Sequence, residues 1–301
     1  MRTPRVCVVF NPEAGTRDAG SLAAALERDP VVDLRRVEDS REIADLARSA
    51  ADEGYEIVGA AGGDGTVGAV AAGLHRAGAG ASLAVLPIGT GNDFARHVGI
   101  SRDPLKALRA ALTSATAGRM RPTDLIRCVS PLEPPRPQWA LNAVVGGLGG
   151  RIGDAVDVDR RRRWGRLAYL RAGIDELRRL DPQLIRLTVD AREFELEALM
   201  VVVAGGRYVG GGIPLVPDAD PFDGRLDVVV ILRTPGVLVP ATLFRVLRGR
   251  HSGLDNVLAV SGHRVEVQAG ANFWLNRDGE TWTSGSAVFD VVPAAFSLLL
   301  P

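Results

Sequence analysis

Two stretches decide how this chain is organised: Ile57-Val58-Gly59-Ala60-Ala61-Gly62-Gly63-Asp64-Gly65-Thr66, and one strand later Leu83-Ala84-Val85-Leu86-Pro87-Ile88-Gly89-Thr90-Gly91-Asn92-Asp93-Phe94. Each is a short apolar run that ends in a glycine-rich loop carrying one threonine and one aspartate. Such runs read as buried strands, and each loop leads into a helical pattern, from Thr66 to Leu74 and from Asn92 onward. Glycines let successive backbone N–H groups approach phosphate oxygens. A carboxylate among those N–H groups would repel a bare phosphate, so its presence points to a divalent cation between them. One Gly-Gly-x-Gly turn is equally well explained as a tight structural turn. Two at successive strand ends are better explained by a ligand, because parallel sheets bind ligands beyond the carboxyl ends of their strands. The pair suggests a nucleoside triphosphate–Mg²⁺ site, and hence phosphoryl transfer.

Working outward, the first 125 residues alternate strand-like and helix-like patterns, as a parallel sheet requires. Val6–Phe10 reads as a strand, ending in the turn Asn11-Pro12-Glu13-Ala14-Gly15 that can join the same rim, with Arg17 just beyond. Ala19–Glu27 and Asp103–Ala115 read as helices and Val31–Val37 as a strand. Ser40 is the expected N-cap of a further helix. After a proline-rich stretch, Ser130–Pro137, short turn-bounded β-like runs dominate: Ala140–Val145, Leu184–Val189, Glu195–Val203, Leu226–Leu232, Arg264–Gln268, Phe273–Leu275 and Val288–Val292. That spacing predicts an antiparallel sandwich interrupted by one helix, Arg166–Leu180. The expected organisation is a Rossmann-like α/β nucleotide-binding domain over 1–125, joined by a C-terminal return over 291–301, and a β-sandwich domain over 126–290.

Composition removes several classes of chemistry. The 301 residues carry 36 basic and 36 acidic side chains, so no global field favours nucleic acid, and none is expected as a partner. Lys106 is the only lysine; neither glycine loop contains one, which excludes a P-loop and disfavours Schiff-base catalysis. Phosphate charge must then be met by arginine, metal and backbone N–H groups. Cys7 and Cys128 make neither a disulfide framework nor a zinc cluster. His97, His251 and His263 have no metal-ligand spacing. No apolar segment approaches the ~20 residues that span a bilayer, and the start does not read as a signal peptide. The expected setting is the cytoplasm. Arg160-Arg161-Arg162-Arg163-Trp164 reads either as a solvated loop or as a transient membrane contact.

Asn11-Pro12-x-x-Gly15, Gly62–Thr66 and Pro87-x-Gly89-Thr90-x-Asn92-Asp93-Phe94-Ala95, in that order, resemble the diacylglycerol kinase catalytic-domain family, which includes sphingosine and ceramide kinases and soluble bacterial lipid kinases. The resemblance continues through Asp124, Gly210-Gly211-Gly212 to Pro217, Asp223-Gly224-x-Leu226, Arg248-Gly249-x-His251 and Asp278-Gly279-Glu280. It implies ATP- and Mg²⁺-dependent phosphorylation of a lipid hydroxyl, in a cleft between a nucleotide domain and a sandwich domain.

The resemblance also assigns roles. Asn11, Gly15, Arg17, Gly62, Gly63, Gly65, Thr66, Gly89, Thr90, Gly91 and Asn92 would bind the nucleotide. Asp64, Asp93 and Asp124 would organise Mg²⁺ directly or through water, and Asp93, Asp124 and Asn142 would face the substrate. Asp64, Asp278 and Glu280 would be catalytic, with Glu280 the preferred base; on turn preferences alone Asp278-Gly279 is an ordinary turn. A structural Mg²⁺ would sit on Asp223 with Asp220 and Arg225, partly through main-chain carbonyls, against simple solvation of that acidic loop. A diacylglycerol-like lipid and a transient membrane surface at the inner face are the expected partners, and a homodimer is compatible with the sequence. Two departures stand out: Thr16 and Arg17 replace a serine and lysine common in relatives, and Asn142 to Gly150 is unusually rich in glycine. The competing readings are an NAD kinase-like enzyme, which shares the Gly-Gly-Asp-Gly-Thr turn, and a non-catalytic nucleotide- or lipid-binding module.

Overall fold

A computed structural model describes residues 4–14, 19–78, 80–131, 137–147, 182–234, 238–251, 253–278 and 280–301. The chain divides into two compact units, 1–125 with 293–301, and 126–292. The expected helix over 166–180 and the arginine run at 160–164 lie outside the described residues.

The first unit holds strands β1 (Val6–Phe10), β2 (Val32–Arg36), β3 (Ile57–Gly62) and β4 (Ser82–Pro87). They pair in parallel in the order β4-β3-β1-β2, and Ser297 and Leu298 near the chain end add parallel pairing to Ser82 and Leu83. Every residue of β1, β3 and β4 is buried, as in a sheet covered on both faces. On one face Val6, Val8, Phe10, Ile57 and Leu86 pack with Leu22 and Leu26 of α1 (Ala19–Glu27) and with Leu108 and Ala111 of α5 (Pro104–Thr116). Between these come α2 (Ile43–Asp52), α3 (Asp64–Ala77) and the short α4 (Asp93–His97). The approach to α2 differs from the expectation. Asp39, not Ser40, makes the cap: its carboxylate accepts the Arg41 N–H at 2.9 Å, and Ser40 lies inside a 3-10 turn over Ser40–Glu42.

The second unit is antiparallel. Strand β5 (Met120–Val129) pairs with β6 (Gln138–Ala140) through residues 126–128. The long β9 (Arg192–Ala204) pairs with β8 (Gln183–Val189) in its first half. In its second half it lies between β7 (Ala143–Gly147) and β10 (Leu226–Leu232). Strand β11 (Val257–Gly262) borders β10, β12 (Arg264–Gln268) borders β8, and the first residues of β15 (Ala287–Leu299) border β12. Strand β13 (Trp274–Arg277) joins β7 to β14 (Glu280–Ser284). Alternation sends Val201, Val203, Val228 and Val230 into a core with Phe273 and Phe289, while Val202, Ala204, Val229 and Ile231 pack a second cluster with Leu215, Val216 and Val246. The expected strand over 140–145 is two strands broken at Leu141-Asn142, whose amides turn to a side-chain acceptor described below.

Candidate functional site

The first constellation is built at the carboxyl ends of β1, β3 and β4. Strand β3 ends at Gly62, and Gly62 O accepts N–H bonds from Ile88 at 3.1 Å and Gly89 at 3.3 Å, so the two glycine loops are joined backbone to backbone. This closeness requires glycine. A Cβ on Gly89 would stand 2.5 Å from Gly63 Cα, and one on Gly62 would stand 2.3 Å from the Thr66 side chain. Thr66 is buried, and its Oγ1 accepts from Asn11 Nδ2 at 3.1 Å, while Asn11 Oδ1 accepts the Glu13 N–H at 3.0 Å. The loop after β1 therefore joins the same rim. Gly15 and Arg17, expected to extend it, lie outside the described residues.

Asp64 fastens the two loops. Its carboxylate accepts the N–H of Asp93 at 3.0 Å and of Phe94 at 2.9 Å, which puts an anion on the first turn of α4. Burial pushes the Asp64 carboxyl above its ordinary value, and the amides of Phe94 and Asp93 with the Arg96 charge oppose that shift. Asp93 is buried and ion-paired to Arg96, which also donates to Gly91 O at 3.1 Å. Asn92 takes the left-handed conformation at φ 51°, which asparagine tolerates, and its Nδ2 donates to Gly89 O at 2.6 Å. Its Oδ1 is buried with no protein partner. Helix α3 begins at Asp64 itself; its N-cap, Gly63, offers no side-chain cap, and the Asp64 carboxylate lies on the first turn of α3 as well as on that of α4. Thr90 and Gly65 are exposed beside it. Asp124 is buried, and its Oδ1 accepts the Ala294 N–H at 2.9 Å.

The second constellation lies in the other unit. Asp278 sits at φ 45° in the turn after β13. Its carboxylate accepts three consecutive N–H groups, from Leu141 at 2.8 Å and from Asn142 and Ala143 at 3.0 Å each, and its own N–H donates to Ala143 O at 3.0 Å. Asn142 is buried, its carbonyl accepts from Gly205 and Gly206, and its Nδ2 donates to Tyr208 O. Asn142 Oδ1 has no protein partner. Glu280 opens β14 opposite Arg277; its side chain lies outside what is described.

The acidic loop 218–227 is organised by local turns: Asp220 accepts the Phe222 N–H at 3.1 Å and Asp223 the Arg225 N–H at 2.9 Å. Burial, then the charges of Asp223 and Asp218, push the Asp227 carboxyl up to about 6, against the pull of Arg225. Among the described residues no three His, Cys, Asp or Glu side chains gather to hold a metal. Asp64, Asp93 and Asp124 are thus not a three-carboxylate cage, because each is already engaged by backbone amides or by Arg96. Two features of the rim escaped sequence reading: the Arg96 pair, although Asp93 and Arg96 stand at helical i,i+3 spacing, and the use of the α4 amides by Asp64. Both cysteines are buried, and burial raises both thiols above the ordinary range, that of Cys7 to about 12. No helix among the described residues is long and apolar enough to cross a membrane.

Comparison with known proteins agrees with the fold. The diacylglycerol kinase catalytic domain family model matches residues 5–128, and the YegS C-terminal NAD kinase beta sandwich-like domain model matches residues 142–300. Among similar curated proteins, one from Pseudomonas aeruginosa named "Probable lipid kinase YegS-like" is 33% identical over 295 residues, covering 98% of this chain and 93% of its own. Among solved structures, a diacylglycerol kinase from Bacillus anthracis superposes with TM-score 0.70 at 21% identity, covering 100% of this chain and 98% of that one. Yeast NADH kinase shares the fold more distantly, with TM-score 0.51 at 11% identity over 99% of this chain and 83% of that one.

Proposed function

The chain belongs to the diacylglycerol kinase catalytic-domain family, in its YegS-like group of lipid kinases, and on that premise we propose that it transfers the γ-phosphate of ATP to a hydroxyl of a lipid such as diacylglycerol, with Mg²⁺. The observation that carries this reading is the junction of the two glycine loops at the start of α3, joined through Gly62 O and clasped by Asp64. A helix start that follows a glycine loop, with a positive dipole end and no side-chain cap from Gly63, is suited to phosphate oxygens. The paired glycines let the two loops close on each other where a Cβ would not fit, and the unpartnered Asn92 Oδ1 is an acceptor for a donor on the ligand side.

Phosphoryl transfer asks the protein chiefly to position reactants and to offset charge on the transferring group. Gly62, Gly63, Gly65, Thr66, Gly89, Thr90, Gly91 and Asn11 position the nucleotide phosphates. Mg²⁺ usually keeps several waters and takes only one or two carboxylates beside the phosphates, so Asp64, Asp93 and Asp124 would hold it largely through water. When bound, it would neutralise charge on the phosphate oxygens. Glu280 accepts the proton of the attacking hydroxyl, and Asp278 positions Asn142 and its neighbours toward the acceptor. Asp223, with the main-chain carbonyls of Asp220 and Arg225, would hold a second, structural Mg²⁺. The enzyme works in the cytoplasm with transient attachment to the inner face of the membrane, where its acceptor resides.

The test is Glu280→Gln. Removing a general base lowers kcat by about 10²–10⁴-fold, and because the nucleotide loops are untouched, KM for ATP stays the same. Full activity in this variant would move the base elsewhere.

A further inference from the structure

Helix α6 (Val239–Val246) has no part in the roles above. Two of its residues, one turn apart, hold it on the second unit. Thr242 is buried and its Oγ1 accepts from Asn256 Nδ2 at 2.8 Å, and Val246 is fully buried in the cluster with Leu215 and Val216. The opposite stripe, Ala241, Phe244, Arg245 and Arg248, stands at i, i+3, i+4 and i+7 spacing and is exposed. Phe244 keeps 54% of its surface in solvent, and Leu238, just before the helix, keeps 52%.

The helix ends in a glycine cap. Gly249 takes φ +63° and donates to Val246 O at 2.9 Å, while Arg250 N–H donates to Arg245 O at 2.8 Å. This closure brings Phe244, Arg245, Arg248 and Arg250 around one open hollow of about 360 Å³. Arg248 stacks over the Phe244 ring at 4.1 Å. Among the described residues none of these three arginines has a carboxylate partner, whereas Arg35, Arg186 and Arg233 are each paired with a glutamate. A basic side chain at a helix C-terminus is expected from the dipole. That explanation covers neither three arginines without a carboxylate partner among the described residues nor two large apolar side chains left in water beside them.

We propose that Leu238, Phe244, Arg245, Arg248 and Arg250 form the surface by which the protein docks on an anionic phospholipid bilayer. The arginines match lipid phosphates, and the apolar side chains suit the boundary between headgroups and acyl chains. In a chain of zero net charge, only a local patch of this kind supplies such attraction. Choosing a bilayer over another anionic partner rests on the lipid-kinase reading.

The test is flotation of the full chain with vesicles of phosphatidylcholine alone or mixed with phosphatidylglycerol. Wild type is expected to float with the mixed vesicles only, and to be released by salt. At about 1 kcal/mol per basic residue near an anionic surface, the triple variant Arg245→Gln/Arg248→Gln/Arg250→Gln loses on the order of 100-fold in vesicle affinity. Phe244→Ser, which leaves every charge in place, weakens binding to the same vesicles. Both variants are expected to keep wild-type kinase activity on lipid presented in detergent micelles, which also reports that they are folded. Equal flotation of wild type and the triple variant, or equal binding to neutral vesicles, would overturn the proposal. A triple variant that floats normally while wild type labels lipid sinks the surface alone. Arginine-dependent flotation by a protein that labels no lipid sinks the kinase reading alone.

Discussion

Replacing Asp278 with alanine is expected to lower the melting temperature of the protein by about 10 °C. Three consecutive N–H groups, from Leu141, Asn142 and Ala143, all buried residues, depend on that one carboxylate. Hydrogen bonds to a charged acceptor contribute about 1.5–3 kcal/mol each, and donors left buried without a partner cost more than the bond itself returns. Alanine would also have to hold φ 45°, which aspartate tolerates better. A combined loss of about 4 kcal/mol is a moderate sum of these terms, and at about 2–4 °C per kcal/mol for a unit of this size it gives the shift stated. Asp278→Asn keeps one acceptor oxygen and the tolerance for a left-handed backbone, so it should fall about midway. An unchanged melting curve for the alanine variant would mean that this carboxylate does not organise the turn.

Gly89→Ala should abolish nucleotide binding while leaving most of the fold intact. The added Cβ would meet Gly63 Cα at 2.5 Å, Asn92 Oδ1 at 3.0 Å and Gly63 N at 3.2 Å. Two of these are backbone atoms and cannot rotate away. Normal carbon contact lies near 3.5–4.0 Å, so the loops must part by roughly 1 Å. That displacement moves the start of α3 from the second loop and stretches the Asp64 bonds that clasp them. Misplacement on this scale costs about 10²-fold where positioning is the catalytic device, whereas overpacking costs about 1–3 kcal/mol of stability. Gly20→Ala is the control, because nothing lies within 4 Å of its new Cβ. Calorimetric titration with ATP and Mg²⁺ should give saturable binding for wild type and the control, and none at the same concentrations for Gly89→Ala. Unaltered affinity in Gly89→Ala would separate this loop pair from the nucleotide.

Much of this was legible in the residues themselves. Buried strands such as Val6–Phe10 are continuous apolar runs closed by turns, and the structure places Val6–Phe10 and Leu226–Leu232 over the residues expected of them. The Rossmann-like α/β fold and the sandwich followed from that alternation and from the change of texture after the proline-rich stretch. Other features depended on contacts distant in sequence. The break at Leu141-Asn142 is made by Asp278, more than a hundred residues away, so a local pattern reads one strand where there are two. Helix α6 spans only eight residues and carries Pro240 in its first turn, so the stretch around it reads as loop. Strands β5, β11 and β14 are not among the expected elements: β5 and β14 mix polar with apolar residues, β11 has only a four-residue apolar run, and each draws stability from neighbours such as β6, β10 and β13. At the site, the glycines announced a close approach, but their mutual contact, and the commitment of Asp64 to the amides of α4, became visible only in three dimensions.

The most direct measurement of the central claim is the partition of label from radiolabelled ATP. Purified protein is incubated with Mg²⁺, a fractionated lipid extract and NAD in one reaction, and the product is separated into organic and aqueous phases. The account predicts label in an organic-soluble phosphorylated lipid, with none in NAD and a loss of signal in Asp64→Asn. Label in NAD with none in any lipid would contradict it.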